Sequence, residues 1–235
     1  VCLQEVVTLR EVALLDAIFA REYKTCTPGS RWRLLNRGGL YVAVHERCSL
    51  VESRFVRFTV QAPLFHPLAL SDLVLEKGWQ IVQVATGSGP VTIFNSHLLG
   101  SYGLFPTAEM RAIQCQRLEL EKVLAKTLGR IVICADMNAT PNTFACDSYF
   151  RNLGELFFMN ETPITVDNTH NPLRQGRIAH MAGRGKGKPN KRIDYMFFRE
   201  LHPWNKGEIL FHRPRRLHQY SGFLSDHFGL SGVFI

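Results

Sequence analysis

The chain has 235 residues, 46% of them apolar, and a formal charge of +8. This length and apolar content can bury one large core, so we expect a single domain over residues 1–235. No apolar stretch approaches the ~18 residues of a membrane span and the N-terminus lacks the shape of a signal peptide, so we expect a soluble chain. The charge favours an anionic partner, either a phosphate-bearing polymer or a membrane surface, although many basic proteins bind neither.

The six cysteines show no spacing that is typical of a zinc site. Cys2 and Cys134 lie in apolar, strand-like stretches, where a free thiol behaves as a small hydrophobic group. A reducing compartment is the simpler interpretation, so we expect a cytoplasmic monomer, with or without membrane association. Disulfides among Cys26, Cys48 and Cys146, and with them a secreted form, stay open because the cysteine count is even.

The first part of the chain predicts strands around one helix. Residues 1–7 have the pattern of a core strand that ends by presenting Glu5, and residues 9–23 have a helical apolar period. Residues 40–44 and 53–60 are typical of strands. The apolar face predicted for the helix consists of Leu9, Val12, Leu15, Ile18 and Phe19. Residues 61–72 form an apolar, Pro-interrupted loop that either packs under the core or makes a membrane-touching patch.

The second part predicts a hairpin over residues 80–98, an amphipathic helix over 107–128 and a buried strand over 131–135. Further along the chain, the sequence predicts a short helix near 142–150, a flexible basic loop over 183–192 and two more strands, one over residues 193–198 and one at the C-terminus. Strands dominate and two helices are clear. The pattern therefore predicts an α/β sandwich of packed sheets flanked by helices.

Polar side chains accompany five of the strand-like stretches. Asp136 and Asn138 lie two residues apart at a strand end, so they can face one ligand together, although both residue types are also common in turns. Carboxylate and amide oxygens suit Mg²⁺, and a histidine beside a carboxylate suits proton transfer. Each set is weak alone, but together they predict the chemistry that splits a phosphodiester. The sets are Gln4-Glu5, Asn95-x-His97, Asp136-x-Asn138, Arg192-x-Asp194 and Asp226-His227.

The motifs LQEV, GGLYVAV, NSHL, ADMNATP, RIDYMFF and SDHFGL occur in this order along the chain. The series resembles the endonuclease/exonuclease/phosphatase superfamily, the DNase I-like metal-dependent phosphodiesterases, over essentially the whole chain. The resemblance implies a four-layered α/β sandwich of two packed β-sheets flanked by helices, with the site at one edge of the sheets. Members also carry an earlier strand with an Asn, so we expect the native gene product to have such a strand before Val1.

The resemblance implies how metal and water would be bound. Glu5 would bind a divalent cation, Mg²⁺ or another such as Mn²⁺, and Asp226 would assist it. His227 would be the general base that activates water, and Asp194 would orient its imidazole.

The remaining roles that the resemblance implies concern the phosphate and the substrate. Asp136 and Asn138 would contact the attacking water and the phosphate. His97 would donate to a phosphate oxygen or to the leaving group, although a core histidine explains it equally well. The residues expected to bind substrate are Asn95, Lys77 and Arg192.

Within the superfamily, short matches resemble the neutral sphingomyelinases. They comprise NSHLLGSYG followed by Arg111-x-x-Gln114, the Lys77-Gly78 turn, and Thr165-x-Asp167 ahead of RIDY. The implied reaction is hydrolysis of sphingomyelin to ceramide and phosphocholine at a phospholipid membrane surface.

Other functions stay open. A nuclease acting on DNA or RNA would use the basic residues 184–192 to follow backbone phosphates. A non-catalytic binding protein on the same fold is a second alternative, and inositol-phosphate or other phosphatases are a third.

Overall fold

The computed structural model describes residues 1–31, 34–62, 70–100, 106–140, 153–155, 165–166, 191–204, 207–210, 215–217, 220–222, 227 and 229–235. The α-helices in this part of the chain are α1 (Leu9–Phe19), α2 (Leu70–Leu75) and α3 (Pro106–Lys126). The strands are β1 (Cys2–Leu3), β2 (Tyr23–Cys26), β3 (Ser30–Arg31), β4 (Leu35–Asn36), β5 (Tyr41–His45), β6 (Ser49–Arg57), β7 (Gly78–Thr86), β8 (Gly89–His97), β9 (Arg130–Asp136), β10 (Gly154–Glu155), β11 (Asp194–Arg199), β12 (Glu208–Leu210), β13 (Arg215–Leu217), β14 (Tyr220–Gly222) and β15 (Gly229–Ser231).

The larger sheet has six strands in the order β10-β11-β9-β8-β7-β6. Strands β7 and β8 form the predicted antiparallel hairpin. Strand β8 then runs parallel to β9, and α3 supplies the long crossover that a parallel pair requires. Strand β11 returns antiparallel to β9 on its other side. The smaller sheet has the order β1-β5-β2.

The two sheets pack face to face through aliphatic side chains. Val42 and Val44 of β5 belong to one buried cluster with Val82 and Val84 of β7. Branched side chains pack well on pleated strands, so the facing valines make an apolar contact between the sheets.

Each sheet is covered on its outer face by a helix. Helix α1 packs Val12, Leu15 and Phe19 against the small sheet. Helix α3 packs Leu120 and Leu124 against the large sheet. The layers therefore follow the order α1, small sheet, large sheet, α3, which confirms the predicted four-layered α/β sandwich.

Helix α1 differs from its prediction at its end and on one face. It begins at a capping box, in which Thr8 and Glu11 exchange hydrogen bonds, and it ends at Phe19 rather than at residue 23. Tyr23 instead begins β2, because pairing with β5 outweighs the local helical pattern. Ile18, predicted on the buried face, is 62% exposed.

Helix α3 buries polar side chains that its apolar period did not predict. The Gln116 carbonyl accepts from the Leu99 backbone N–H at 2.9 Å, and its amide donates to the Val60 carbonyl at 2.9 Å. Both bonds tie the helix to chain segments that leave the large sheet. Leu128, the last residue of the predicted helix, is 89% exposed because the helix has already ended at Lys126.

Other strand and helix boundaries also differ from the predicted ones. Strand β1 is shorter than the predicted residues 1–7, since the backbone of Glu5 turns to a φ of +61°. Strand β6 begins at Ser49, and helix α2 begins within the predicted loop over residues 61–72 and continues past it to Leu75. The predicted helix near 142–150 and most of the basic loop lie outside the described residues. No helix in the described part of the chain is long and apolar enough to cross a membrane.

We expect Leu120→Ala to lower the free energy of unfolding by about 2–5 kcal/mol, because it opens a cavity between α3 and the large sheet. Leu118→Ala is the matched control, since Leu118 lies on the same helix but is 51% exposed, and it should cost less than about 0.5 kcal/mol. Urea unfolding with an unchanged m-value measures both. Equal losses in the two variants would contradict this packing.

Candidate active site

Three neighbouring strands deliver His97, Asp136 and Asp194 side by side. In the parallel pair β8–β9, His97 lies opposite Asp136, and in the antiparallel pair β9–β11, Asp194 lies opposite the same Asp136. His97 and Asp136 are the last residues of their strands and Asp194 is the first of its own. Three motifs that are far apart in sequence therefore meet at one edge of the large sheet.

The side chains at this edge form a compact polar cluster with His227. The Nδ1 atom of His227 lies 3.0 Å from Oδ2 and 3.2 Å from Oδ1 of Asp194, and 3.8 Å from Oδ2 of Asp136. Nε2 of His97 lies 3.4 Å from the same Asp136 oxygen. Asp136, Asp194 and His227 each offer one ligand atom within 4.8 Å of the others, so this trio could hold a metal ion.

The turn after β9 holds the Asp136 carboxylate in place. Oδ1 of Asp136 accepts from the Asn138 backbone N–H at 2.8 Å, and the Asn138 side-chain amide donates to the Leu98 carbonyl at 2.9 Å. Asn138 has a φ of +47°, a conformation that Asn tolerates better than most residues. Asn138 thus joins the ends of β8 and β9.

Burial and the neighbouring Asp194 carboxylate raise the pKa of Asp136 from its ordinary value of 3.8 to about 7. The charge of His227, the N–H of Asn138 and the charge of Lys77 act in the opposite direction. Two carboxylates at a site where one is 4% exposed concentrate negative charge that water cannot screen. A bound cation would relieve this repulsion, so the donor set fits a metal ion.

Lys77 is buried, and its Nζ atom lies 3.1 Å from Oδ1 of Asp72. This ion pair connects α2 to the residue that precedes β7. Sequence reasoning assigned Lys77 to substrate binding and missed Asp72. The sequence offered a signal for this pair, because an acid before the end of a short helix and a base just after that end can form an ion pair. In the structure Lys77 contacts the protein's own carboxylate, and its role in substrate binding stays a prediction.

Asn95 and Arg192 are also buried. The Asn95 amide donates to the carbonyls of Leu3 and Tyr41 at 3.0 and 3.2 Å, and its oxygen accepts from the Gln4 side chain at 2.6 Å. Asn95 therefore links the two sheets.

The Arg192 guanidinium lies 4.7 Å from the centre of the Tyr195 ring. Arg192 and Asn95 are both buried, and their expected roles in substrate binding stay predictions.

Glu5 is exposed and follows Gln4, whose bond to Asn95 brings this segment beside β8. It is not part of the trio that could hold a metal ion. Asp226, the other residue expected at the metal, lies outside the described residues. The residues that the structure gathers in the described part of the chain are thus those expected to act on water and phosphate.

Similarity to known proteins is visible in structure rather than in sequence. No protein-family model matches the chain, and no curated protein matches it. D. rerio TDP2 complexed with single strand DNA product is 14% identical, with a TM-score of 0.75 over 100% of this chain and 84% of that one. SmcL is 18% identical, with a TM-score of 0.73 over 98% and 84% of the two chains.

Sphingomyelinase C from Streptomyces griseocarneus is 16% identical, with a TM-score of 0.67 over 98% of this chain and 85% of that one. At such low identity these likenesses establish the fold. The chain has the DNase I-like fold, which confirms the architecture that the motif series predicted.

We expect Asp136→Asn to become more stable relative to the parent chain as pH rises from about 4 to 8 without divalent cations. The pKa of Asp136 is raised to about 7 in the folded state. The stability that its bound proton contributes is therefore fully present below pH 3.8, falls as pH rises from 3.8, and is lost once pH has passed 7. The difference in Tm should grow by several degrees across this range.

Thermal unfolding at several pH values, with chelator present, measures this trend. Glu22→Gln, on the surface, controls for the loss of one negative charge. A Tm difference between Asp136→Asn and the parent that is the same at pH 4 and pH 8 would contradict the raised pKa.

Proposed function

We propose that the chain is a metal-dependent hydrolase of phosphodiesters. The observation that carries this proposal is the Asp194–His227 pair held beside the buried Asp136. A carboxylate, an imidazole and a second carboxylate at one sheet edge provide an oriented base next to a site for a cation.

His227 is the general base in this proposal. A carboxylate accepts a hydrogen bond, so the Asp194 contact keeps the proton of a neutral His227 imidazole on Nδ1. Nε2 is then the ring nitrogen that takes a proton from the attacking water. Asp194 stabilises the resulting positive charge, as a buried or half-buried carboxylate does for an imidazolium.

His97 and Asp136 form the acid side of the proposed site. The contact of 3.4 Å joins the two groups, so the Asp136 carboxylate would stabilise a protonated His97. A protonated His97 is suited to donate to the leaving oxygen or to a phosphate oxygen.

Asp136 and Asp194 are the described carboxylates that would hold a cation, and the resemblance adds Glu5 and Asp226. Carboxylate oxygens favour Mg²⁺ or Mn²⁺. A bound divalent cation supplies charge that neutralises the phosphate oxygens during the reaction.

Sphingomyelin is the first candidate substrate. The short motif matches to neutral sphingomyelinases and the structural likeness to Sphingomyelinase C support it. Arg111 and Gln114, which resemble a sphingomyelinase motif, are exposed on the surface of α3. The enzyme would act on phospholipid at a membrane surface, where each basic residue contributes roughly 1 kcal/mol near anionic lipid.

Nucleic acid is the second candidate. The likeness to TDP2 solved with single strand DNA product supports it, as does the net charge of +8. The catalytic groups described above would serve either substrate, because both present a phosphodiester.

We expect the chain to hydrolyse labelled sphingomyelin in vesicles when Mg²⁺ is present, and to act far more slowly on plasmid or single-stranded DNA. The three substrates are compared in parallel, and a His227→Ala preparation subtracts contaminating activity. Faster DNA cleavage would assign the nuclease function instead. No turnover of any of the three would favour a binding protein on this fold.

We expect activity to disappear on exhaustive chelation and to return with Mg²⁺ or Mn²⁺, because the proposed site concentrates carboxylates. Elemental analysis should confirm that the chelated sample is free of metal. Full turnover in such a sample would reject a metal-dependent mechanism.

We expect His227→Ala to lower kcat by at least ~100-fold while the fold is retained, since loss of a general base typically costs that much. Asp194→Asn should change kcat in the same direction because the imidazole loses its orienting charge. His202→Ala, an exposed histidine on the same C-terminal part of the chain, is the matched control and should keep parental activity. Near-parental turnover by His227→Ala would end the assignment of the base.

A further inference from the structure

Thr165 lies against the beginning of β11 although it is far from it in sequence. It is fully buried, and its backbone N–H donates to the Lys191 carbonyl at 3.0 Å. Its side-chain Oγ1 accepts two consecutive backbone N–H groups, from Ile193 at 3.0 Å and from Asp194 at 3.2 Å. One hydroxyl oxygen therefore binds the chain at the residue that carries the Asp194 carboxylate.

These two bonds fix the direction of the Asp194 side chain. The Ile193 carbonyl also accepts from the Met137 N–H at 2.8 Å, so the backbone before Asp194 is held from both sides. With N–H and C=O groups both anchored, the Cα–Cβ bond of Asp194 has little freedom. That bond aims the carboxylate at Nδ1 of His227.

We propose that Thr165 is a positioning residue that keeps Asp194 in register with His227. The inference rests on the proposed hydrolase function, in which His227 is the base. Thr165 acts through the Asp194 backbone and is not itself a catalytic residue. Removing its oxygen would leave two buried N–H groups without this acceptor, and the start of β11 would shift to satisfy them.

Two substitutions separate the oxygen from the shape of the side chain. Thr165→Ser keeps the hydroxyl and removes a methyl group, whereas Thr165→Val keeps the branched shape and removes the acceptor. We expect Thr165→Ser to stay within ~3-fold of the parental kcat. We expect Thr165→Val to lose about 10- to 100-fold in kcat with KM nearly unchanged, because a small misplacement of catalytic groups costs this much.

Thr127→Val is the matched control, because it removes a threonine hydroxyl bonded to a backbone carbonyl at the end of α3, away from the site. It should keep parental kcat even if it lowers Tm. If Thr165→Val does not fold, Thr165→Ala provides a smaller side chain without an acceptor. Parental kcat in whichever acceptor-free variant folds, or a loss in Thr165→Ser equal to that variant's, would overturn the proposal.

A measurement without substrate separates this inference from the proposed function. A proton NMR resonance of the His227 Nδ1–H in a hydrogen bond to Asp194 should be present in the parent and in Thr165→Ser. It should be weakened or absent in Thr165→Val and unchanged in Thr127→Val. An unchanged resonance in Thr165→Val would refute the positioning role, whereas absence of hydrolysis in the parent would refute only the proposed function.

Discussion

The arrangement of the site depends on one carboxylate that the fold keeps out of water. Asp136 ends the central strand β9 in a buried position, where an ionised group is costly unless neighbours compensate it. The Asn138 N–H, the two histidines and the more distant Lys77 surround it with donors and positive charge. These neighbours offset the cost of burying the ionised carboxylate only in part, so its pKa stays near 7. A bound proton or cation would supply the rest of the stabilisation.

Strand pairing is what brings these groups together. Because side chains on one face of adjacent strands lie about 5 Å apart, a register that aligns three strand ends necessarily makes a polar row. The cost of this row is limited by the surrounding layers: valines fill the space between the sheets, and α3 seals the opposite face of the large sheet. The polar row that the proposed function uses lowers the stability at the sheet edge, while the rest of the sandwich supplies the stability.

The same fold occurs in structural relatives whose names point to different substrates. TDP2 solved with single strand DNA product and Sphingomyelinase C superpose on this chain with TM-scores of 0.75 and 0.67. In the proposed function, the buried cluster around Asp136 would act on the phosphodiester group, which is common to both kinds of substrate. Selection between a lipid and a nucleic acid therefore has to come from surfaces around this cluster, and so the substrate assay, rather than the cluster, decides it.

The sequence by itself determined the fold class and which polar residues lie at or beside the strand termini, because periodicity and turn residues are local properties. His97, Asp136, Asp194 and His227 could be named from it for this reason. Only the tertiary structure decided that Asn95, Lys77 and Arg192 are buried, that Asp72 pairs with Lys77, and that Thr165 binds the backbone of Asp194. Burial and hydrogen-bond partners depend on segments distant in the chain, such as the Gln4 side chain that meets Asn95, and no local pattern encodes those meetings.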